Sequence, residues 1–249
     1  MAMLIPGIVS VTFRPLSPAR VAALTASCGL SAVEWGGDVH VPPQDAANAA
    51  AVARLTEEAG LRTLSYGSYF RAGYSPEADF SAELAAAVAL GAPNVRIWAG
   101  KKGSAEEDDR ARVAASIRVC AEACRAAGRT LSLEFHQNTL TDHYESALRL
   151  IDEVAHPALR LYWQPNQFCD EAYNLAALRA VLPFLSNVHV FTWAGKEKFP
   201  LAHGEAQWRR YIEVVRSAPG DHGMLLEFVC DGTERQFCED AATLRAWLA

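Results

Sequence analysis

Four strand-prone stretches of the chain each carry one polar residue among apolar neighbours. They are Glu134 in "TLSLEFHQ", Gln164 in "RLYWQ", His189 in "NVHVFTW" and Glu227 in "LLEFV". Successive side chains of a strand point to opposite faces. Leu131, Leu133 and Phe135 therefore share one face and leave Ser132, Glu134 and His136 on the other. By the same parity, Leu161 and Trp163 oppose Gln164, Val188 and Val190 oppose His189, and Leu226 and Phe228 oppose Glu227. Two carboxylates, an amide oxygen and an imidazole brought together would suit a divalent cation such as manganese, magnesium or zinc. The same acids are groups that move protons at carbon.

Burying acids is costly unless a cation compensates them. Glu34 in "AVEWGG" and Arg96 in "NVRIW" are further inward candidates. Arg96 can offset one carboxylate but hardly Glu34, Glu134 and Glu227 together. Two arrangements stay open on spacing alone: a metal held by Glu134, Gln164, His189 and Glu227, and an ion-pair network centred on Arg96.

These residues need a scaffold that delivers four strand ends to one place. Candidate strands lie at Ile8 to Phe13, Ala32 to Trp35, Arg62 to Tyr66, Val95 to Trp98, Thr130 to Phe135, Arg160 to Gln164, Asn187 to Thr192 and Met224 to Val229. Helical segments alternate with them. Ser17 with Pro18, and Ser75 with Pro76, read as helix starts; Gly29, Gly91 and Gly128 read as stops. Ser104 with Glu107, and Thr233 with Gln236, have capping-box spacing. Strands alternating with helices pair in parallel with right-handed crossovers. Eight such units predict one α/β domain over residues 1–249, a closed (β/α)8 barrel. The alternative, an open doubly wound sheet, usually carries a Gly-rich phosphate turn after its first strand, and no GxGxxG or GxxxxGK[ST] occurs. A barrel works at the C-terminal ends of its strands, where the four polar residues fall.

A formal charge of −6 and the absence of a Lys/Arg block argue against nucleic acid, whose binding depends on neutralising phosphates. The start "MAMLIPGIVSVTF" lacks a charged leader region, and no apolar run reaches membrane-span length, so a cytoplasmic protein with no membrane partner is expected. The six cysteines form no CxxC pair and no evident disulfide framework; Cys120 and Cys124 read as small buried residues of a helix. The expected partner is a small molecule, with assembly into a homo-oligomer left open.

Taken in order, "LSLEFHQN", "LYWQPNQ", "NVHVFTW" and "LLEFV" resemble the xylose isomerase-like TIM barrels, a superfamily of sugar isomerases and epimerases and of type IV apurinic endonucleases. "AVEWGGDVHVP" and "LSYGSYFRAG" are similar to a bacterial branch described broadly as sugar phosphate isomerase/epimerase. The resemblance spans nearly the whole chain. It implies one divalent metal on Glu134, Gln164, His189 and Glu227, with Glu134 and Glu227 also exchanging protons with the substrate. The pattern has Asp-x-x-His where this chain has Gln164-x-x-Gln167, which removes a charge from the metal site and an imidazole from the substrate side. Leu140 and Gly195 stand where ketose 3-epimerases have a Glu and an Arg.

The expected activity is isomerisation or epimerisation of a sugar or sugar phosphate through a metal-stabilised enediolate, with the two glutamates as base and acid. Gln167, Trp98, Trp193, Tyr66, Arg96, Glu34, His40 and His203 are the candidate substrate contacts, and Lys101 or Lys102 could meet a phosphate. Each has a plainer reading: aromatics more often pack than bind, and surface lysines are usually solvated. A different class is a sugar-binding barrel without turnover, which the two glutamines favour. An endonuclease-like phosphodiesterase would need extra His and Asp ligands that "LSYGSY" and "VRIWAG" do not supply.

Overall fold

Parallel pairing of short, largely apolar strands through helical crossovers produces the expected closed barrel. The structure is a computed structural model that describes residues 3–249, leaving the side chain of Glu107 outside the described residues. Its barrel strands are β1 (Leu4–Val9), β2 (Ala32–Gly36), β3 (Arg62–Arg71), β4 (Asn94–Trp98), β5 (Thr130–Glu134), β6 (Leu159–Trp163), β7 (Leu185–Val190) and β10 (His222–Leu226). They close in the order β1-β10-β7-β6-β5-β4-β3-β2. Outside run α1 (Pro18–Ser27), α2 (Ala46–Glu58), α3 (Glu77–Ala89), α4 (Arg110–Ala126), α5 (Tyr144–Val154), α6 (Glu171–Val181), α7 (Glu205–Arg216) and α8 (Glu234–Leu248).

Strand parity sorts the core as the sequence predicts. Val95, Leu131, Leu133, Leu161, Trp163, Val188, Val190 and Leu226 pack outward into the large cluster beneath the helices. Ile5, Val9, Ala32, Leu64, Tyr162 and Leu225 fill the barrel interior. Next to them a polar chain crosses the lumen: Asn94 Nδ2 donates to Ser132 Oγ at 2.7 Å, and Ser132 Oγ to Ser186 Oγ at 2.8 Å. Buried hydroxyls and amides thus satisfy one another.

Several boundaries differ from expectation. The first strand ends at Val9, and Ser10–Phe13 is a 3-10 turn in place of the expected strand end. Here Ser10 Oγ accepts from Gly36 N at 2.9 Å, so a side chain replaces the ladder bond. β7 stops at Val190, short of the expected end at Thr192, and Thr192–Ala194 pairs with Glu197–Phe199 as an unexpected antiparallel hairpin (β8, β9). Ser17 caps α1 and Thr233 caps α8 as expected. Ser75 instead accepts from Arg71 N at 3.0 Å, and α4 starts at Arg110 rather than near Ser104. The Glu107 half of that capping box lies outside the described residues.

The cysteines need one correction. Cys28 at the end of α1 and Cys238 in α8 form a disulfide across 210 residues, which sequence spacing did not suggest because helix packing alone brings them together. Cys120 and Cys124 are free and buried, as expected. Among the described residues, no helix is long and apolar enough to cross a membrane.

Candidate active site

The interior parity of β5, β6, β7 and β10 brings the four predicted residues together at the C-terminal end of the barrel. His189 is fully buried, and Glu134 and Glu227 are nearly so. One donor atom each of Glu134, His189 and Glu227 lies within 4.8 Å of the others. His189 Nδ1 is 3.3 Å from Glu227 Oε2, 3.5 Å from Glu134 Oε1 and 2.8 Å from Gln164 Oε1.

One oxygen of Glu134 is spoken for. Its Oε2 accepts from Arg96 Nη1 and, at 2.6 Å, from Trp98 Nε1. That leaves Oε1 turned toward His189 and Glu227. Two carboxylates, an amide oxygen and an imidazole nitrogen converging on one point form a donor set that fits a divalent cation. Glu134, His189 and Glu227 are a possible metal-binding triad, with Gln164 Oε1 beside it.

The Arg96 network is present as well, beside the possible metal-binding triad. Arg96 Nε donates to Glu34 Oε1 at 2.8 Å while Nη1 holds Glu134. Gly67 makes room for this pair: a Cβ there would stand 2.6 Å from Arg96 Nη2 and 2.8 Å from Glu34 Oε1. Burial pushes the Glu34 and Glu134 carboxyls up, but the Arg96 charge and His189 outweigh it and hold both down at about 2. Glu227 lies higher than an ordinary carboxyl, raised by burial; His189 pulls it down, and the Glu134 charge opposes that pull. Burial pushes His189 down, yet Glu227, Glu134 and Glu34 lift it to about 10.

Above this floor opens a cavity of about 260 Å3. Of the predicted residues, Glu134, Gln164, Glu227, Gln167, Arg96, Trp98 and Trp193 line it. Glu34 sits below as the Arg96 partner, and His189 lies in the floor. Three expected substrate contacts are placed elsewhere. Tyr66 points outward by parity and donates to Val41 O at 3.0 Å. His40 is enclosed between Ser10 Oγ at 2.9 Å and Leu16 O at 3.1 Å, a satisfied structural histidine. His203 lines a neighbouring cavity of about 510 Å3, which shares Gln167 and Trp193 with the first. Lys102 pairs with Asp109 at 3.4 Å and Lys101 lies on the Tyr74 ring; neither lines the cavity.

Sequence reasoning missed Arg14, Tyr69, His136, Gln137 and Phe228, all of which line the cavity. His136 shares the parity of Glu134, so its signal was present. Arg14 follows the unexpected 3-10 turn, and Tyr69 lies in the unforeseen extension of β3 beyond Tyr66. Phe228 turns inward because its backbone adopts φ 54, a left-handed conformation rare for a bulky residue, while its N–H donates to Thr12 Oγ1 at 3.1 Å.

Residues 22–247 match the xylose isomerase-like TIM barrel family. The chain belongs to that family. Other xylose isomerase-like barrels of known structure share the fold at low identity. The probable 3-DHS dehydratase of petrobactin synthesis from Bacillus anthracis superposes with a TM-score of 0.79 at 18% identity, covering 98% of this chain and 99% of that one. D-psicose 3-epimerase with D-tagatose from Clostridium cellulolyticum H10 gives 0.73 at 13%, covering 98% and 99%. A xylose isomerase-like TIM barrel protein from Mycobacterium smegmatis in complex with magnesium gives 0.77 at 14%, covering 98% and 96%. In sequence, a stretch of 69 residues is 39% identical to the 3-dehydroshikimate dehydratase of Bacillus anthracis. It covers 27% of this chain and only 25% of that protein.

Proposed function

We propose that this xylose isomerase-like barrel is an isomerase or epimerase of a sugar or sugar phosphate, with one divalent metal held by Glu134, Gln164, His189 and Glu227. The observation that carries this reading is the convergence of the Glu134, His189 and Glu227 donor atoms within 4.8 Å at the floor of a substrate-sized cavity. When bound, the metal supplies Lewis-acid polarisation of a carbonyl or hydroxyl oxygen.

The chain's own residues supply the proton transfers. Glu134, oriented by Arg96 and Trp98, takes a proton from the carbon beside a carbonyl. Glu227 stands apart from Glu134 around the barrel, with β6 and β7 between their strands. A proton returned by Glu227 to the same carbon from the opposite side inverts it; a proton returned to the neighbouring carbon, with the hydroxyl proton passing from one oxygen to the other, isomerises the sugar. Gln167 can hydrogen-bond a hydroxyl but not protonate one near neutral pH. Trp98 and Trp193 wall the space and limit water.

The 39% identical stretch favours a second reading, a dehydratase of a hydroxylated cyclic keto acid. Both readings begin with a proton leaving carbon beside a carbonyl. They diverge when Glu227 protonates a departing hydroxyl instead of carbon. Incubation with manganese in deuterium oxide tests both against a panel of ketoses, aldoses, their phosphates and 3-dehydroshikimate. Deuterium entering a sugar at the carbon beside its carbonyl is the expected result. Aromatic absorbance from 3-dehydroshikimate without exchange into sugars would replace the isomerase by the dehydratase. Sugar binding without either reaction would make the protein a binding barrel.

A further inference from the structure

The floor of the cavity is acidic and its mouth is cationic. The chain as a whole carries −6, yet three of the aromatic side chains lining the cavity, Trp98, Trp193 and Phe228, each hold a cation against the ring. Arg71 Cζ lies 4.1 Å from the Trp98 centroid, and Arg14 Cζ lies 5.7 Å from that of Phe228. Lys198 Nζ stands 4.8 Å from both Trp193 and Phe228. Arg14 and Arg71 are half-buried and Lys198 is exposed, so all three stay charged while lying against the rings of the cavity.

The Arg14 side chain and the hairpin that carries Lys198 are each held in place. Arg14 Nε donates to Asp38 at 2.6 Å and its Nη2 donates to the Tyr69 hydroxyl at 2.6 Å, so the guanidinium is braced at the cavity wall. Lys198 is carried on β9 of the hairpin, whose turn is tied down by Gly195 N donating to Gln167 O at 2.9 Å. Asp38 offsets the Arg14 charge in part. Lys198 forms no salt bridge among the described residues; its side chain is exposed, with the ammonium over two rings that line the cavity.

We propose that this mouth is an anion seat: the substrate carries a carboxylate or phosphate that Arg14 and Lys198 hold while its hydroxylated end reaches Glu134 and Glu227. The inference rests on reading this cavity as the substrate site and narrows the substrate class within it. A neutral sugar offers the two cations only hydroxyl acceptors, whereas an anionic group forms stronger, charge-assisted hydrogen bonds there. Tyr69, joined to Arg14 and lining the same cavity, adds a hydroxyl beside the seat.

The test is equilibrium binding to the manganese-loaded protein, read by quenching of Trp98 and Trp193 fluorescence. The probes are D-fructose, D-fructose 6-phosphate, 5-keto-D-gluconate and 3-dehydroshikimate. At least one anionic probe should bind about tenfold more tightly than D-fructose, the scale of one charge-assisted hydrogen bond. Its advantage should shrink on adding salt. Whether the phosphate or the carboxylates show it identifies the anion. Lys198→Gln and Arg14→Gln should each weaken the favoured anion more than they weaken D-fructose. Equal binding of charged and neutral probes, equal loss in the variants, or no binding of any anionic probe would overturn the anion seat. An anion preference without proton exchange or dehydration would leave the seat standing and remove the catalytic reading. Exchange into D-fructose without charge preference would do the reverse.

Discussion

The indole N–H of Trp98 donates to Glu134 Oε2 at 2.6 Å, on the same oxygen that accepts from Arg96. Trp98 thus orients a proposed catalytic carboxylate as well as walling the cavity. A hydrogen bond to a charged group is worth about 1.5–3 kcal/mol. Trp98→Phe keeps an aromatic ring but not the donor, and should lower kcat about tenfold or more with a smaller change in KM. Trp193→Phe, which removes no bond to either glutamate, should act mainly on KM. Steady-state kinetics on the substrate found by the exchange panel decides; unchanged kcat in Trp98→Phe would reduce that residue to a wall.

Glu134→Gln and Glu227→Gln keep the shape of the side chains and remove their proton chemistry. Each should cut deuterium exchange by about 100-fold or more, the usual scale of a general acid or base. Circular dichroism should remain that of the parent. Exchange that survives in either variant rejects the two-glutamate mechanism.

Arg96 is buried between Glu34 and Glu134. Arg96→Met leaves two buried carboxylates without their cation and should cost about 3–5 kcal/mol of stability. Urea unfolding measures it. Adding Glu34→Gln should recover part of the loss, because one orphaned charge disappears.

Gln164 offers an amide oxygen where a carboxylate would add negative charge. Gln164→Asp should raise affinity for manganese or magnesium about tenfold or more. Isothermal titration with metal, and a larger metal-dependent rise in Tm than the parent shows, are the readouts. No gain would place the metal away from Gln164.

Asp240 is buried against the turn that precedes α7, accepting from Leu201 N at 2.9 Å and Gln236 Nε2 at 3.0 Å. Burial raises its carboxyl above the ordinary value despite those donors, and the charges of Glu239 and Asp231 add to the rise. A raised folded-state value means that its contribution to stability is complete below about pH 4 and lost as pH rises through the folded value. Asp240→Asn keeps the acceptor and removes the titration. The parent should therefore lose stability relative to the variant as pH rises above about 4, as urea midpoints over a pH series would show. Parallel profiles would reject the assignment.

The alternation of Leu131, Leu133 and Phe135 around Glu134, repeated at Gln164, His189 and Glu227, was enough to direct all four toward the lumen. Period-two alternation is a local property of a strand, so it can be read before any contact is known. The eight-unit barrel followed from the same local periods and from helix starts such as Ser17-Pro18 and Thr233. Boundaries were less legible where a side chain replaced a ladder bond, as Ser10 does at the end of β1.

The sequence by itself determined the barrel, the inward parity of its strands and the Gln164-for-Asp departure. Only the tertiary structure decided that Arg96 ties Glu34 to Glu134, that Cys28 meets Cys238, that His40 and Tyr66 are structural, and that Arg14 and Lys198 frame the cavity. Those relationships join residues tens to hundreds of positions apart. They depend on strand register, bulges and loop paths, which no local period encodes.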